Sequence, residues 1–466
     1  MTGRWNKEPS ILEGYREDES GLVGNPDALA RPASEQDVVE IVKECRADRH
    51  ALTPIGLQSS TTGSSVAFEG ALLSTEKMDR LLDIDPFKMT ATAQPGINLL
   101  AFKKEIAAAG LFYPPDPTSE PDCCLGGSVA TNASGARTYL YGPTRNWIRR
   151  LKVVLGTGAP ISVQAVRASK NTTGYFGFQN PVDPFIGSEG TLGIITEITV
   201  ALLAAPEAYY GAMALFPTLE SAIRFVLHAD AEPALTPRCL ELFDRASLDL
   251  IKPLAERFTI PPDAGAAIYF EVEVGKGEKA ALSSLEIWLE HLESSHALAP
   301  DTIIALTIEQ QEELRRLRHC IPETLNEKSR ACRSAGGRKV SSDWAVPLNN
   351  VYEFVMQASE IVERTFGGEY YRYGHIGNGH PHFNLIARDD EELRRAETAT
   401  HDICRRVVER AGAVTAEHGV GKLKRPFAAY QFPPPIFEAM KAVKRTFDPD
   451  MILAPGNIFP SAAERI

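Results

Sequence analysis

Cysteine is scarce in this sequence, and no two cysteines form a C-x-x-C pair. The chain has 7 cysteines among 466 residues, and this odd number argues for a reducing compartment and against a disulfide framework. It also argues against an iron–sulfur cluster whose ligands all come from this chain. A G-x-G-x-x-G fingerprint is absent as well, so the sequence does not indicate a Rossmann-type nucleotide site.

Positive charge and long apolar runs are also scarce. The formal net charge is −12, which argues against a nucleic-acid partner and requires a local Arg or Lys cluster if the substrate is anionic. The most apolar run, residues 194–216, is broken by Glu197, Pro206 and Glu207 and cannot span a bilayer. We therefore expect no direct membrane span, and peripheral attachment to a membrane would need a partner protein.

The N-terminus shows no targeting pattern. It lacks the apolar core of a secretory signal, and five acidic residues among the first 19 argue against a mitochondrial presequence. We expect a cytoplasmic protein.

The length and a change of pattern near residue 205 predict two or three domains. The first domain begins with a helix that Ser34 and Asp37 would cap, and it includes a charged helical turn at 76–82. After residue 205, strands alternate with amphipathic helices, the last at 434–447, which is typical of an α+β domain with an antiparallel sheet. The predicted limits are 1–30 for an N-terminal extension, 31–205 and 206–415 for two domains, and 416–466 for a C-terminal segment.

Two stretches of the first domain carry little side-chain bulk. In residues 111–137, prolines are frequent in the first half and glycines in the second half. Residues 187–193 are glycine-rich and precede a strand of β-branched residues. Such a backbone can pack closely against something flat, or offer its N–H groups to a phosphate. The alternative is a loop packed tightly against its own protein.

Four of the ten histidines lie in two glycine-rich stretches near the C-terminal end, residues 372–382 and 416–421. With the carboxylate of Glu417, this mixture can hold a divalent metal and leave a neutral imidazole free to take a proton. His375 and His382 would face opposite sides of a regular strand, so they converge only if the chain bends between them. Gly377 and Gly379 permit that bend, which would give an open His₂Glu set. The alternative is a group of hydrogen-bonded structural histidines.

Four motifs, in order along the chain, resemble those of a known family. Residues 113–119 with 124–135 are similar to the central FAD-binding segment of the vanillyl-alcohol-oxidase-type flavoproteins, whose FAD domain is of the PCMH type. Residues 187–196 resemble the second FAD signature of that superfamily. The two histidine-rich motifs, 374–382 and 417–421, match the branch of the D-lactate dehydrogenases, the glycolate oxidase FAD subunit and the D-2-hydroxyglutarate dehydrogenases.

The resemblance implies an α+β architecture. It has a PCMH-type FAD-binding domain of two lobes, an α+β substrate domain with an antiparallel sheet that caps the flavin, and a C-terminal segment that returns to the FAD domain. The loop at 54–63 offers no His or Cys for a covalent tether, so we expect noncovalent FAD. The positions matching the family's FAD-binding residues are Pro54, Gly56, Gln58, Ser59, Ser60, Pro115, Asp116, Thr118, Gly126, Gly127, Ala130, Thr131, Asn132, Ser134, Gly135, Tyr141, Gly142, Glu189, Gly190, Gly193, Ile194, Ile195 and Asn457.

The resemblance also assigns roles in the histidine-rich motifs. His375, His382 and Glu417 would bind a divalent metal, which is commonly Zn in this branch, with Mn and Fe as alternatives. His418 would be the catalytic base that takes the hydroxyl proton.

Basic side chains elsewhere match the family's substrate-binding positions. Arg318 and Lys339 would hold the substrate carboxylate, Arg in a two-pronged way and Lys as a point charge. His380 would contact the substrate, act as a fourth metal ligand, or be merely exposed. For Arg315 and Arg316 we expect a solvated basic helix face.

The combined prediction is an enzyme that oxidises a D-2-hydroxy acid, of the lactate, glycolate or 2-hydroxyglutarate type, to the 2-oxo acid. Hydride would pass to flavin N5, with metal-assisted deprotonation of the hydroxyl. The alternatives are the FAD subunit of a multi-subunit iron–sulfur oxidoreductase and a noncatalytic flavin-binding subunit. The electron acceptor is left open among a quinone, a cytochrome, an electron-transfer flavoprotein and an iron–sulfur subunit, and so is a homodimer.

Overall fold

The computed structural model describes residues 4–274, 278–295, 297–298, 301–305 and 307–461. Residues 1–3 of the predicted N-terminal extension and 462–466 of the C-terminal segment lie outside this range. The chain forms two compact units. The first unit comprises Met1–Gly135, Gly142–Ala205 and Glu417–Ile466, and the second comprises Ala136–Tyr141 and Pro206–Ala416.

The described part of the chain folds into strands and helices. The strands are β1 (Trp5–Asn6), β2 (Ala28–Ala30), β3 (Leu52–Ile55), β4 (Ala71–Ser74), β5 (Leu81–Asp85), β6 (Thr90–Ala93), β7 (Leu111–Phe112), β8 (Ile148–Val154), β9 (Pro160–Gln164), β10 (Ile194–Ala201), β11 (Leu203–Ala204), β12 (Ala208–Phe216), β13 (Pro237–Asp244), β14 (Ala266–Val274), β15 (Ile303–Ala305), β16 (Gly336–Ser341), β17 (Tyr370–Gly374) and β18 (His382–Asp389). The helices are α1 (Pro9–Glu13), α2 (Glu35–Asp48), α3 (Leu99–Ala108), α4 (Leu125–Thr131), α5 (Thr138–Tyr141), α6 (Leu219–Ala231), α7 (Arg245–Ile251), α8 (Glu278–Ser294), α9 (Ile308–Cys332), α10 (Val351–Thr365), α11 (Asp390–Glu409), α12 (Arg425–Gln431) and α13 (Pro434–Phe447). Among the described helices, none has the length and apolar character needed to cross a bilayer.

The first unit is built on two main sheets. One has the order β1-β2-β4-β3, in which β2, β4 and β3 are parallel and β1 is antiparallel at the edge. The other is antiparallel, with the order β5-β6-β10-β8-β9. Helix α2 starts where predicted, because the Ser34 hydroxyl accepts from the N–H of Asp37 and the Asp37 carboxylate accepts from the N–H of Ser34. Its apolar face joins the core of the first sheet.

Two local predictions in this unit need correction. The helical turn predicted for residues 76–82 is wrong, because residues 81–85 instead form β5, which pairs with β6. Helix α4 lies inside the small-residue stretch, where no helix was predicted. Glycine disfavours helices by about 1 kcal/mol, but close packing offsets this here. A Cβ on Gly126 would lie 2.5 Å from the Cβ of Pro95.

The second unit contains one antiparallel sheet of seven strands, with the order β15-β12-β14-β13-β17-β18-β16. Apolar side chains of α7 and α9 share a core with this sheet, including Leu314, Leu317 and Ile321. This arrangement confirms the predicted α+β architecture with an antiparallel sheet. Helix α13, which belongs to the first unit, has the predicted limits, 434–447.

Strand β13 was not predicted, and its sequence explains why. All eight of its residues are buried, yet three of them, Arg238, Glu241 and Asp244, are charged. Charged residues are almost never fully buried unless they are paired. A segment that contains three of them is therefore predicted to be exposed and not to form a buried strand. The buried charges of β13 are paired, and one of them lies at the candidate site.

Candidate active site

The histidine-rich motif 372–382 forms a β-hairpin. Strand β17 ends at Gly374, a short 3₁₀ turn follows at 376–378, and β18 begins at His382 opposite Tyr373. Gly374 has φ +99°, and a Cβ there would lie 2.4 Å from Cδ2 of His382. The chain therefore bends between His375 and His382, and their ring centroids lie 5.1 Å apart.

A third potential ligand joins these two rings. One ligand atom from each of His375, His382 and Glu417 lies within 4.8 Å of the others. Glu417 directly follows Ala416, whose N–H donates to the carbonyl oxygen of Asp343 at 2.7 Å. Two imidazoles and one carboxylate form an N₂O donor set that suits a divalent transition metal and leaves coordination positions open. The residues present thus fit the predicted metal.

A buried carboxylate, missed in the sequence, contacts one of these histidines. Glu241 on β13 is 1% exposed. Its Oε1 lies 2.7 Å from Nδ1 of His375, and its Oε2 accepts from Nε of Arg318 at 2.8 Å. Burial raises the pKa of the Glu241 carboxyl, but the interactions with His375 and Arg318, which both hydrogen-bond to it, outweigh burial and hold this pKa below its usual range.

His380 is buried rather than exposed. Its side chain is 4% exposed, and its Nδ1 lies 2.6 Å from the carbonyl oxygen of Trp344. Its Nε2 lies 3.5 Å from a carboxylate oxygen of Asp343, and its ring centroid is 4.6 Å from that of His382. The expectation that it is merely exposed is therefore wrong, whereas the substrate and ligand roles stay predictions.

The basic residues of α9 differ in their surroundings. Arg316 pairs with the exposed Glu256 and fits the expected solvated face, whereas Arg315 is partly buried and donates to the hydroxyl of Tyr209 at 2.8 Å. Burial first, and then the charges of Arg318 and Arg315, lower the pKa of His319 to about 4. The guanidinium groups of Arg315, Arg316 and Arg318 each have a polar partner within the protein.

Lys339, the second predicted carboxylate-binding residue, lies on β16 in the same unit. Its Nζ lies 2.5 Å from Oδ1 of Asn326, and its backbone N–H donates to the Ser329 hydroxyl. The side-chain charge is thus anchored to α9, the helix that also carries Arg318.

The predicted base, His418, lies in a loop of the first unit that Glu189 holds. Both oxygens of Glu189 accept backbone hydrogen bonds, from the N–H of Val420 at 2.6 Å and that of Gly421 at 2.8 Å. The Thr62 hydroxyl donates to the carbonyl of His418 at 3.4 Å. Burial raises the pKa of Glu189 to about 7, although the two backbone bonds and nearby lysines oppose the shift. The Glu189 side chain therefore fixes the loop that carries His418.

The three segments predicted to hold FAD meet in the first unit. The N–H groups of Gly187 and Glu189 donate to the carbonyls of Val129 and Ala130 on α4, at 3.0 and 2.9 Å. A Cβ on Gly56 would lie 2.3 Å from Sγ of Cys124. The loop at 54–63, helix α4 and the segment 187–193 are therefore in contact.

One face of α4 is open to a bound group. Gly127, Ala130 and Thr131 are partly exposed, and among the described side chains a Cβ on Gly127 would contact Sγ of Cys124 alone, at 3.4 Å. The equivalent position on Gly126 is filled by Pro95. A backbone bare of side chains on one side fits a nucleotide that packs against it.

Several predicted FAD residues use their side chains within the protein. The amide of Gln58 donates to the carbonyls of Tyr15 and Glu17 at 3.1 and 2.9 Å. Asn132 accepts from the N–H of Arg145, and Tyr141 donates to the carboxylate of Glu273 within the second unit. These bonds stabilise the local fold.

Asn457 is buried and has three partners. Its Oδ1 accepts from Nζ of Lys422 at 2.6 Å, and its Nδ2 donates to the carbonyls of Ser64 and Glu189 at 2.8 and 3.2 Å. Its amide thus ties the C-terminal segment to the loop at 54–65 and to the segment 187–193.

Two family profiles match the chain. Residues 26–164 match the family described as FAD binding domain, and residues 205–458 match FAD linked oxidases, C-terminal domain. A solved structure of an alkyldihydroxyacetonephosphate synthase superposes with a TM-score of 0.74 at 18% identity, covering 98% of this chain and 82% of that one. At this identity the likeness concerns the fold alone, and it confirms the predicted PCMH-type fold class.

The matches to curated relatives cover nearly the whole chain. The glycolate oxidase subunit GlcD of Bacillus subtilis (strain 168) is 31% identical over 94% of this chain and 90% of its own length. The D-2-hydroxyglutarate dehydrogenase of Stutzerimonas stutzeri (strain A1501) is 31% identical over 93% and 91%. The D-lactate dehydrogenase of Anaerostipes hadrus is 28% identical over 96% and 93%. The chain therefore belongs to the FAD-linked oxidases, an enzyme family that uses FAD.

Proposed function

We propose that this protein oxidises a D-2-hydroxy acid to the 2-oxo acid, with noncovalently bound FAD as the hydride acceptor. The observation that carries the proposal is the group of His375, His382 and Glu417, whose ligand atoms lie within 4.8 Å of one another. One of these histidines shares a buried carboxylate with Arg318, which would bind the carboxylate of the substrate. Hydroxyl and carboxylate are the two polar groups that every 2-hydroxy acid presents.

The protein's own residues would bind and deprotonate the substrate. Arg318 and Lys339 would hold the carboxylate, and His375, His382 and Glu417 would hold a divalent metal, with Zn favoured over Mn and Fe. A ring nitrogen of His418 would take the hydroxyl proton. When bound, the metal lowers the pKa of the hydroxyl, and the flavin accepts the hydride from the substrate carbon.

A screen of flavin reduction tests this proposal directly. The FAD-loaded protein is mixed anaerobically with D- and L-lactate, glycolate, and D- and L-2-hydroxyglutarate, and the flavin absorbance is followed. We expect at least one D-acid or glycolate to bleach the flavin and its L-isomer, where one exists, to react more slowly. If dithionite bleaches the flavin and no hydroxy acid does, the proposal is wrong and a noncatalytic flavin-binding role is favoured.

A role as the FAD subunit of an iron–sulfur complex is the second candidate, because one relative is named a glycolate oxidase subunit. In that case the isolated chain would still be reduced by its substrate, but it would pass electrons poorly to soluble quinones and dyes. Rapid reduction with slow multiple turnover would favour this candidate. Rapid multiple turnover with a soluble acceptor would favour an enzyme that works alone. The cytoplasmic location, the electron acceptor and the oligomeric state stay predictions.

A further inference from the structure

One buried carboxylate joins the candidate metal group to the candidate substrate-binding arginine. Glu241 accepts at Oε1 from Nδ1 of His375, 2.7 Å away, and at Oε2 from Nε of Arg318, 2.8 Å away. The three side chains come from different elements, β13, the β17–β18 hairpin and α9. The order of the strands in the sheet brings Glu241 close to His375, because β13 pairs with β17 and Leu242 lies opposite Gly374.

The chemistry of Glu241 sets the tautomer of His375. An ionised carboxylate only accepts hydrogen bonds, so Nδ1 of His375 must carry a proton. In neutral imidazole the lone pair is then on Nε2, the nitrogen left for a metal. Histidine ligands commonly donate their other N–H to a carboxylate in this way, which fixes the ring and makes the ligand more basic.

We propose that Glu241 is a positioning residue that presents Nε2 of His375 to a metal and, through its other oxygen, holds the Arg318 guanidinium in place for the substrate carboxylate. This inference rests on the proposed function for the roles of His375 and Arg318. Glu241 would then be a single buried anchor for metal binding and for substrate binding. A change at Glu241 therefore disturbs both metal affinity and substrate affinity, whereas a change at Arg318 disturbs only substrate affinity.

Glutamine at position 241 separates this role from simple packing. Its shape matches glutamate, but it offers one acceptor oxygen and one NH₂ group, so it can accept from His375 or from Arg318 and not from both. Where the NH₂ faces His375, the imidazole must accept at Nδ1, which moves its proton to Nε2 and blocks the metal. Where the NH₂ faces Arg318, the guanidinium loses its anchor.

Glu271 on the neighbouring strand β14 provides a matched control. It is also buried, it pairs with Arg137 and Arg238, and it accepts from the hydroxyl of Tyr269 at 2.9 Å. Glu271→Gln therefore removes a buried charge from the same sheet without touching His375 or Arg318.

The experiment measures zinc affinity of the FAD-loaded, metal-stripped full chain by competition with a metallochromic chelator. For Glu241→Gln we expect zinc affinity to fall about 10- to 100-fold, and KM at saturating zinc to rise more than kcat falls. Glu271→Gln should bind zinc as the wild type does. Arg318→Gln should raise KM and leave zinc affinity unchanged. If Glu241→Gln does not fold, Glu241→Asp, which keeps the charge but withdraws it by one methylene, is measured in its place.

Two results would overturn the inference. One is wild-type zinc affinity in the Glu241 variant, and the other is an equal loss of affinity in Glu241→Gln and Glu271→Gln, which would indicate a general effect of buried charge. Neither result affects the proposed function if hydroxy acids still reduce the wild-type flavin in a metal-dependent reaction. A wild-type protein that binds no zinc and is not reduced by any hydroxy acid would overturn the proposed function itself.

Discussion

The two units use their residues in different ways. In the first unit, the segments predicted to bind FAD offer mostly backbone and small side chains, and their larger polar side chains, such as Gln58, Glu189 and Asn457, bond to their own unit. In the second unit, the candidate site residues use their side chains, as in the pair formed by the buried Glu241 and the partly buried Arg318. Added bulk should therefore impair the first unit, and lost charge should impair the second.

Metal removal is expected to have the largest effect. Chelation, or His382→Ala, removes several kcal/mol of stabilisation of the developing alkoxide, which corresponds to about 10⁴-fold in the rate of flavin reduction. FAD content should not change, because these ligands are not among the predicted FAD residues. Stopped-flow reduction before and after adding Zn, Mn or Fe checks this.

The control for the metal prediction is His50→Ala, which removes a histidine that pairs only with Asp27 in the described part of the chain. It should keep the wild-type rate. A protein that is stripped of metal, retains FAD and is reduced at the wild-type rate would show that the His₂Glu group has another role.

His418→Ala should lower the rate of flavin reduction about 10²- to 10⁴-fold, because no ring nitrogen remains to accept the hydroxyl proton. His418 and the neighbouring Glu417 are exceptions to the contrast between the units, since both belong to the first unit and are proposed to act through their side chains. FAD content and zinc affinity should stay at wild-type values. Stopped-flow measurement of flavin reduction checks this, and a wild-type rate in the variant would exclude His418 as the base.

Two adjacent glycines of α4 test whether added side-chain volume impairs FAD binding by the first unit. Gly127→Ala adds a methyl group on the open side of the helix, so the fold should persist while FAD affinity falls. Gly126→Ala places its methyl group 2.5 Å from the Cβ of Pro95, so the fold itself should be destabilised. An overpacking cost of 1–3 kcal/mol corresponds to about 5- to 150-fold in the FAD dissociation constant of the Gly127 variant.

Fluorescence titration of the apoprotein with FAD, together with thermal unfolding of the apoprotein, distinguishes these outcomes. Wild-type FAD affinity in Gly127→Ala would show that the nucleotide does not pack on this face of α4.

The same contrast explains what the sequence could and could not predict. The glycine- and histidine-rich motifs are contiguous, so their chemistry and their likeness to a flavoprotein family can be read directly. Helix α2 was predicted because its cap is local, with Ser34 and Asp37 three residues apart. Glu241 lies 134 residues from His375, and only the neighbouring positions of β13 and β17 in the sheet bring them together. No pattern in the sequence indicates that Glu241 and His375 are in contact. The charged residues of β13 also prevented the prediction of the strand.

Glu189 leads to a pH prediction for stability. Its pKa is about 7 in the folded protein, above its usual value of 4.5, so the folded state binds the proton more tightly than the unfolded state. The associated stability is fully present below about pH 4.5 and is lost as pH rises through 7, by at most about 3 kcal/mol. Thermal unfolding of Glu189→Gln should show a weaker decline between pH 5 and 8 than the wild type. Parallel declines would show that Glu189 ionises as an ordinary carboxyl.

Asn457→Ala should have the smallest effect and should act on stability alone. The change leaves Nζ of Lys422 and the carbonyls of Ser64 and Glu189 without the amide that joins them, all in a buried setting. Unsatisfied buried polar groups cost about 1–3 kcal/mol, so the unfolding midpoint should fall, while KM and the rate of flavin reduction stay near wild type. Asn457→Asp keeps the acceptor for Lys422 but cannot donate to the carbonyls of Ser64 and Glu189, so it should not restore the wild-type midpoint. If the rate falls while stability is preserved, Asn457 acts on the flavin, and the first unit does use a polar side chain there for chemistry.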